Sequence, residues 1–251
     1  MALLALALAL LAQAPVLSHG QALPVGPAIA DDPELARAIA PLALKVHESF
    51  ARVLVQAPLG LARAQAGADP LGGFIAERMR AAAAGEGPVR FAFTSGNSLG
   101  RDLLPGPVRL LDFYEVLPYD NELVVAEYTG AQLLAIVKEG LRATGGEPCA
   151  GIQVVLAGTA LHPELTVTWA DGSAIDPRQT YLGALTDYLL ASGGSTPTLK
   201  AGAHPRHTGI MVRQAIIDQC SVLPQPILPA AGPYHIAPGM AAALESGTLR
   251  F

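Results

Sequence analysis

The stretch from Phe91 to Val137, FAFTSGNSLGRDLLPGPVRLLDFYEVLPYDNELVVAEYTGAQLLAIV, constrains this chain more than any other. Its first apolar residues read as a buried strand, and Ser95 to Arg101 as a loop of small residues that ends on a guanidinium. Pro105-Gly106 signals a turn, LPYDN a second loop, ELVVAEYT a second strand, and Thr129-Gly130 the start of a helix. Strands and helices in this succession predict an α+β (mixed α/β) fold, with mixed sheet layers flanked by helices. Arg101 and Tyr119, offered from neighbouring loops, form a pair suited to a phosphate and a flat ring.

Bulk properties narrow the function classes. The chain has 251 residues, enough for one large domain with a sizeable core. Charged residues make up 15% and the net charge is −5, so no basic field exists to hold nucleic acid by phosphate neutralisation. No long charge run or low-complexity tract argues for disorder. The apolar run from Ala2 to Ala12 is too short to span a bilayer and has the length of a signal-peptide core, with Ser18 and Gly20 placing a cleavage point before Gln21. This predicts a signal peptide over residues 1–20, a linker over 21–30, one domain over 31–251, and a periplasmic or secreted protein. The n-region carries no Lys or Arg, so the alternative is that the run is a core element of an upstream domain. Cys149 and Cys220 form either one disulfide or two buried free thiols, and their spacing resembles no metal site.

Along the chain, Asp31 or Asp32 caps a long amphipathic helix in which Leu35, Ile39, Leu42, Val46, Phe50 and Val53 share one face, with Pro41 as the point where it would bend. Val55 to Gln65 reads as a strand and a loop containing Arg63. Asp69-Pro70 starts a second helix that Gly85 and Gly87 end. A helix from Ala131 to Arg142 is closed by Gly145-Gly146. Ile152 to Leu156 and Leu165 to Trp169 read as strands around a turn at Gly158, Tyr181 to Leu185 as a buried strand, Ile210 to Cys220 as a short helix, and Ser221 to Pro238 as Pro-rich coil.

The order of these pieces resembles the C-terminal, substrate-recognition domain of the 5'-nucleotidase and UDP-sugar hydrolase family. The features that carry the resemblance are Ser95 to Arg101, Pro105-Gly106, Pro118-Tyr119-Asp120-Asn121, Thr129 to Leu133, and the run from Gly172 through Asp176-Pro177 and Tyr181 to Gly193-Gly194. Thr248 to Phe251 echoes the family's terminal segment. The resemblance implies that Arg101 contacts a substrate phosphate, that Arg63 does the same, that Tyr119 is one of two aromatic rings sandwiching a nucleobase, and that Asn121 contacts the base. The second ring is Tyr188 when the alignment is anchored at Tyr181, or Leu189 when it is anchored at Gly193-Gly194. Ser195 stands where the family has the Asp that takes the ribose hydroxyls, and it offers a weaker single hydroxyl. The chain also departs at Gly100, where the family has Ile.

Read without the family, Arg101 is an ordinary surface arginine or one paired with Asp102, and Asn121 a residue ending a turn on its own backbone. None of the four metal-binding motifs that the family uses for two-metal phosphoester hydrolysis occurs in the chain, and the histidines are scattered among Pro and Gly. There is no Gly-x-Ser-x-Gly elbow and no P-loop. The expectation is a stand-alone recognition domain for a nucleotide or related phosphate ester, without activity or cofactor of its own. Divalent metals would sit only on a separate metallophosphoesterase chain. The alternatives are a degenerate interaction module, or one piece of a split enzyme.

Overall fold

The computed structural model describes residues 26, 29–63, 69–223 and 225–247. The segment read as a signal peptide (1–20), most of the 21–30 linker, and Thr248 to Phe251 lie outside the described residues. The chain divides into two compact units, Met1–Lys45 and Val46–Phe251. Helix α1 (Pro33–Phe50) starts in the first unit, where Asp32 Oδ1 accepts from the amides of Glu34 at 2.8 Å and Leu35 at 3.1 Å. It runs unbroken through Pro41, and none of its residues is buried.

The second unit continues with β1 (Val53–Ala57), α2 (Pro70–Ala82), β2 (Val89–Phe93), β3 (Gly106–Arg109), α3 (Leu110–Val116), β4 (Glu122–Thr129), α4 (Gly130–Thr144) and β5 (Cys149–Ala150). It then adds β6 (Ile152–Thr159), β7 (His162–Trp169), β8 (Thr180–Thr186), α5 (Asp187–Ser192), β9 (Ala203–Met211), α6 (Val212–Cys220), β10 (Tyr234–Ile236) and α7 (Pro238–Glu245). The helix ends follow local chemistry. Asp69 caps α2 by accepting from Gly72 N at 2.7 Å, with Pro70 preset for the first turn. Thr129 and Gln132 form a reciprocal capping box on α4, and Gly145 closes that helix in the left-handed conformation at φ 79°.

A five-stranded sheet in the order β5-β2-β8-β4-β9 organises the unit; β2 and β8 run parallel and the other neighbours antiparallel. A three-stranded sheet (β10-β6-β7) and the β1–β3 pair flank it. Successive residues of a strand point to opposite faces, so both faces of the central sheet bury a core. On one face Ala92, Leu123, Val125 and Ala184 pack with the apolar sides of α2, α3 and α6. On the other, Phe91, Phe93, Val124 and Tyr128 pack with α4, α7 and the second sheet. Full burial of each large side chain contributes about 1.5–3 kcal/mol. Tyr128 donates its hydroxyl to Leu199 O at 2.5 Å, so its polar tip is satisfied inside that core.

Several elements differ from the sequence expectation. LLDFYEV, which lies between the Pro105-Gly106 turn and LPYDN, folds as α3, and GPVR pairs with β1. The hairpin turn expected at Gly158 lies beyond it, since β6 continues to Thr159 and Gly158 faces Pro163 across the ladder. Its φ of 84° and the 2.3 Å that a Cβ would leave to His162 O explain why glycine stands there. Ala203 to Met211 forms an edge strand, where Pro205 is tolerated, and Tyr234 to Ile236 adds a short parallel strand to β6 inside the expected coil. Cys149 and Cys220 are free, buried thiols in the two separate cores. Burial pushes both up to about 12, so neither is a ready nucleophile.

Phe91, fully buried, lies directly across Gly183, and a Cβ there would stand 2.3 Å from its ring. Gly183→Ala is therefore expected to destabilise the unit by about 1–3 kcal/mol through overpacking. Urea titration should show a lower midpoint at unchanged slope; an unchanged midpoint would refute the tight contact.

Candidate functional site

Because β2 is parallel to β8 and β4 antiparallel to it, the ends of β2 and β8 and the start of β4 lie at one end of the central sheet. The loops leaving these ends build a cleft of about 270 Å³, lined by Ser95, Asn97, Ser98, Tyr119, Asn121 and Tyr188. Tyr119 and Tyr188 are 59% and 50% exposed, more than large aromatic residues usually are.

Each wall is fixed by identifiable bonds. After β2 the chain makes a single 3-10 turn, Gly96–Ser98, in which Ser98 Oγ donates to Ser95 O at 2.7 Å. Tyr119 sits on the α3–β4 connection, which Arg213 of α6 holds from beneath. One guanidinium nitrogen of Arg213 donates to Leu117 O at 2.6 Å and Tyr119 O at 3.4 Å, and another pairs with Asp120. The guanidinium carbon lies 4.1 Å from the centre of the Tyr114 ring. Asn121 O accepts from Val212 N at 2.9 Å, which leaves its side-chain amide on the cleft wall. Tyr188 follows the Thr186 cap of α5, and Asp187 accepts from both Tyr188 N at 2.8 Å and Glu122 N at 3.2 Å, tying this helix to the start of β4. Of the two residues that alternative alignments offer, Tyr188 lines the cleft and Leu189 is fully buried in the core.

The other candidate residues lie elsewhere. Arg101 Nη2 stands 2.5 Å from both Asp112 Oδ1 and Glu115 Oε2 on α3. Asp102, offered by the sequence as its partner, pairs instead with Arg63 at 3.3 Å, while Arg63 also donates to Leu99 O at 2.8 Å. The loop reaches α3 through Gly100, whose amide donates to Val116 O at 2.8 Å; a Cβ on Gly100 would stand 2.0 Å from Glu115 O. That contact accounts for glycine at this position. Arg63 lines a larger cavity of about 720 Å³, to which Gly96 and Asn97 also contribute.

Ser195 lies beside the Glu147 carboxylate, where its hydroxyl favours the ionised form. Glu147, which the sequence reading did not single out, is 2% exposed and accepts from Gly96 N at 3.1 Å. Its Oε1 has no hydrogen-bond partner. No motif could have marked it, since only the fold brings Gly96 and Ser195 to it. Among the described residues no group of three or more His, Cys, Asp or Glu is arranged to hold a metal ion.

Burial holds the Glu147 carboxyl above the ordinary glutamate range, outweighing the Gly96 amide and Ser195 hydroxyl that favour ionisation. A carboxyl raised in the fold adds stability that is fully present below its unfolded value and is lost as pH rises through the folded one. Glu147→Gln is accordingly expected to flatten the fall in Tm between acid and neutral pH, followed by thermal denaturation; an unchanged pH slope would show that Glu147 does not titrate in this window.

The family model described as 5'-nucleotidase, C-terminal domain, matches residues 50–201. Among curated proteins the chain is 26% identical over 170 residues to the trifunctional nucleotide phosphoesterase YfkN of Bacillus subtilis, covering 63% of this chain and 12% of that protein. It is also 26% identical over 205 residues to the B. subtilis endonuclease YhcR, covering 73% and 16%. The solved 5'-nucleotidase precursor of Thermus thermophilus shares the fold with a TM-score of 0.67 at 22% identity, over 87% of this chain and 46% of that one. The chain thus spans less than half the length of each of these relatives. With the family model covering more than half of the chain, and the fold matching a solved member, this chain belongs to the 5'-nucleotidase C-terminal domain family.

Proposed function

We propose that this chain is an exported recognition module that takes the base of a nucleotide or related ester between Tyr119 and Tyr188 and does not hydrolyse it alone. The observation that carries the reading is the cleft itself, where two exposed aromatic rings stand beside the side-chain amides of Asn97 and Asn121. Exposed rings provide stacking surface, and amides provide both donors and acceptors for a base edge. The lack of the family's metal-binding motifs in the sequence supports the view that bond cleavage would need divalent metals on a separate metallophosphoesterase chain. Export is supported by the apolar run at residues 2–12. Among the described residues no helix is long and apolar enough to cross a membrane.

A second reading, a module that keeps the fold but has lost the ligand, is favoured by the engagement of Arg101 with Asp112 and Glu115, and by Ser195 standing beside the buried Glu147 carboxyl. Calorimetry with adenine, guanine, cytosine and uracil nucleotides separates the two. The first reading expects saturable binding that Tyr119→Ala or Tyr188→Ala weakens by about 1–3 kcal/mol. Absence of binding to every nucleotide and nucleoside, with and without a metallophosphoesterase partner, establishes the second.

A further inference from the structure

We propose that the cleft takes a nucleoside without regard to its 5'-phosphate, and that Asp112 and Glu115, by holding Arg101, are the residues that keep the phosphate from adding affinity. The inference rests on the cleft being a ring site and concerns what accompanies the ring. All six residues lining it are uncharged: two serines, two asparagines and two tyrosines. A ligand phosphate would need a cation beside them, and the guanidiniums of the surrounding loops are already engaged.

Arg101, the cation of the β2 loop, has one terminal nitrogen at 2.5 Å from two different carboxylates, and its Nε is enclosed without a partner. Asp112 is further fixed by accepting from Arg109 N at 2.5 Å, so it is built into the start of α3 and not a loose counter-ion. One guanidinium between two carboxylates leaves a net negative cluster, and a phosphate dianion brought to it meets like charge. Arg213 is committed to Asp120 and to the carbonyls that shape the Tyr119 loop. Arg63 is committed to Asp102 and Leu99 O.

The larger cavity beyond Asn97 offers no better phosphate site. Its lining brings four acidic residues, Asp69, Asp102, Glu147 and Glu245, to two arginines, Arg63 and Arg142. A neutral nucleoside, by contrast, needs only stacking surface and hydrogen-bonding groups. The tyrosines, the asparagine amides and the free lone pairs of the Ser98 hydroxyl supply these.

The test is calorimetry of the full chain with each nucleoside and its 5'-monophosphate at low and high salt. Wild type is expected to bind nucleoside and monophosphate within about threefold of each other, with little dependence on salt. The Asp112→Asn/Glu115→Gln double variant releases Arg101 and is expected to gain at least fivefold for the monophosphate alone, a gain that high salt removes. Because a gain of function is read, loss of fold cannot imitate it, and far-UV circular dichroism checks the variant. A wild-type preference of tenfold or more for the monophosphate overturns the proposed ligand class. A double variant that is folded and binds nucleoside without gaining for the monophosphate overturns the role of the acid pair. If no nucleoside or nucleotide binds to wild type, the ring-site reading fails and this inference with it, an outcome distinct from monophosphate preference.

Discussion

An unbroken antiparallel ladder from Leu123↔Thr186 to Thr129↔Thr180 joins β4 to β8, and the cleft depends on it. Tyr119 and Asn121 precede the first strand and Tyr188 follows the second, so this ladder sets the distance between the two rings. A one-residue slip would displace one ring from the other by about 3.3 Å, the rise of a strand residue. It would also exchange every inward and outward side chain, placing Leu123 and Val125 on the face that now holds Val124 and Ala126. Because both faces of this sheet bury a core, neither could accept the exchange without voids and clashes. The register is thereby held by the bulk of the unit and not by the residues of the cleft.

Much of this was legible in the sequence where local chemistry decides the outcome. Asp69-Pro70, Thr129-Gly130 and Gly145 carry their own helix boundaries, and the apolar runs of β2, β4 and β8 could hardly be anything but buried strands. What stayed hidden depends on partners distant in the chain. Ala203 to Met211 has none of the apolar alternation of a strand, because an edge position leaves nearly all of it exposed. Tyr234 to Ile236 and Gly106 to Arg109 are too short to show a period. Arg101 was recognised as important, but its partners could not be, because Asp112 and Glu115 come together one turn apart only once LLDFYEV is helical. Asp102 is adjacent to Arg101 in sequence, yet the chain directs it to Arg63.

The arginines show how one residue type serves unlike purposes within a small region. Arg213, with its side chain only 14% exposed, acts as scaffold: carbonyls, a carboxylate and an aromatic face absorb its hydrogen-bonding capacity and fix the Tyr119 loop. Arg101 is pinned by two carboxylates, one of which accepts its hydrogen bond, and keeps an unpartnered nitrogen. The first arrangement would be hard to undo without losing the loop. The second rests on two carboxylates of α3, of which Asp112 also caps the start of that helix.

Tyr188 and Leu189 are neighbours with opposite environments, one ring half in solvent and one side chain in the core. Consecutive helix positions point about 100° apart, so deleting a residue before α5 would bring Leu189 to the cleft position, and inserting one would press Tyr188 into the hydrophobic interior. Ligand contact and core packing are therefore recorded in the same reading frame of a short helix. A substitution at 188 alters the cleft alone, whereas a change in the length of the segment leading to it alters the cleft and the core together.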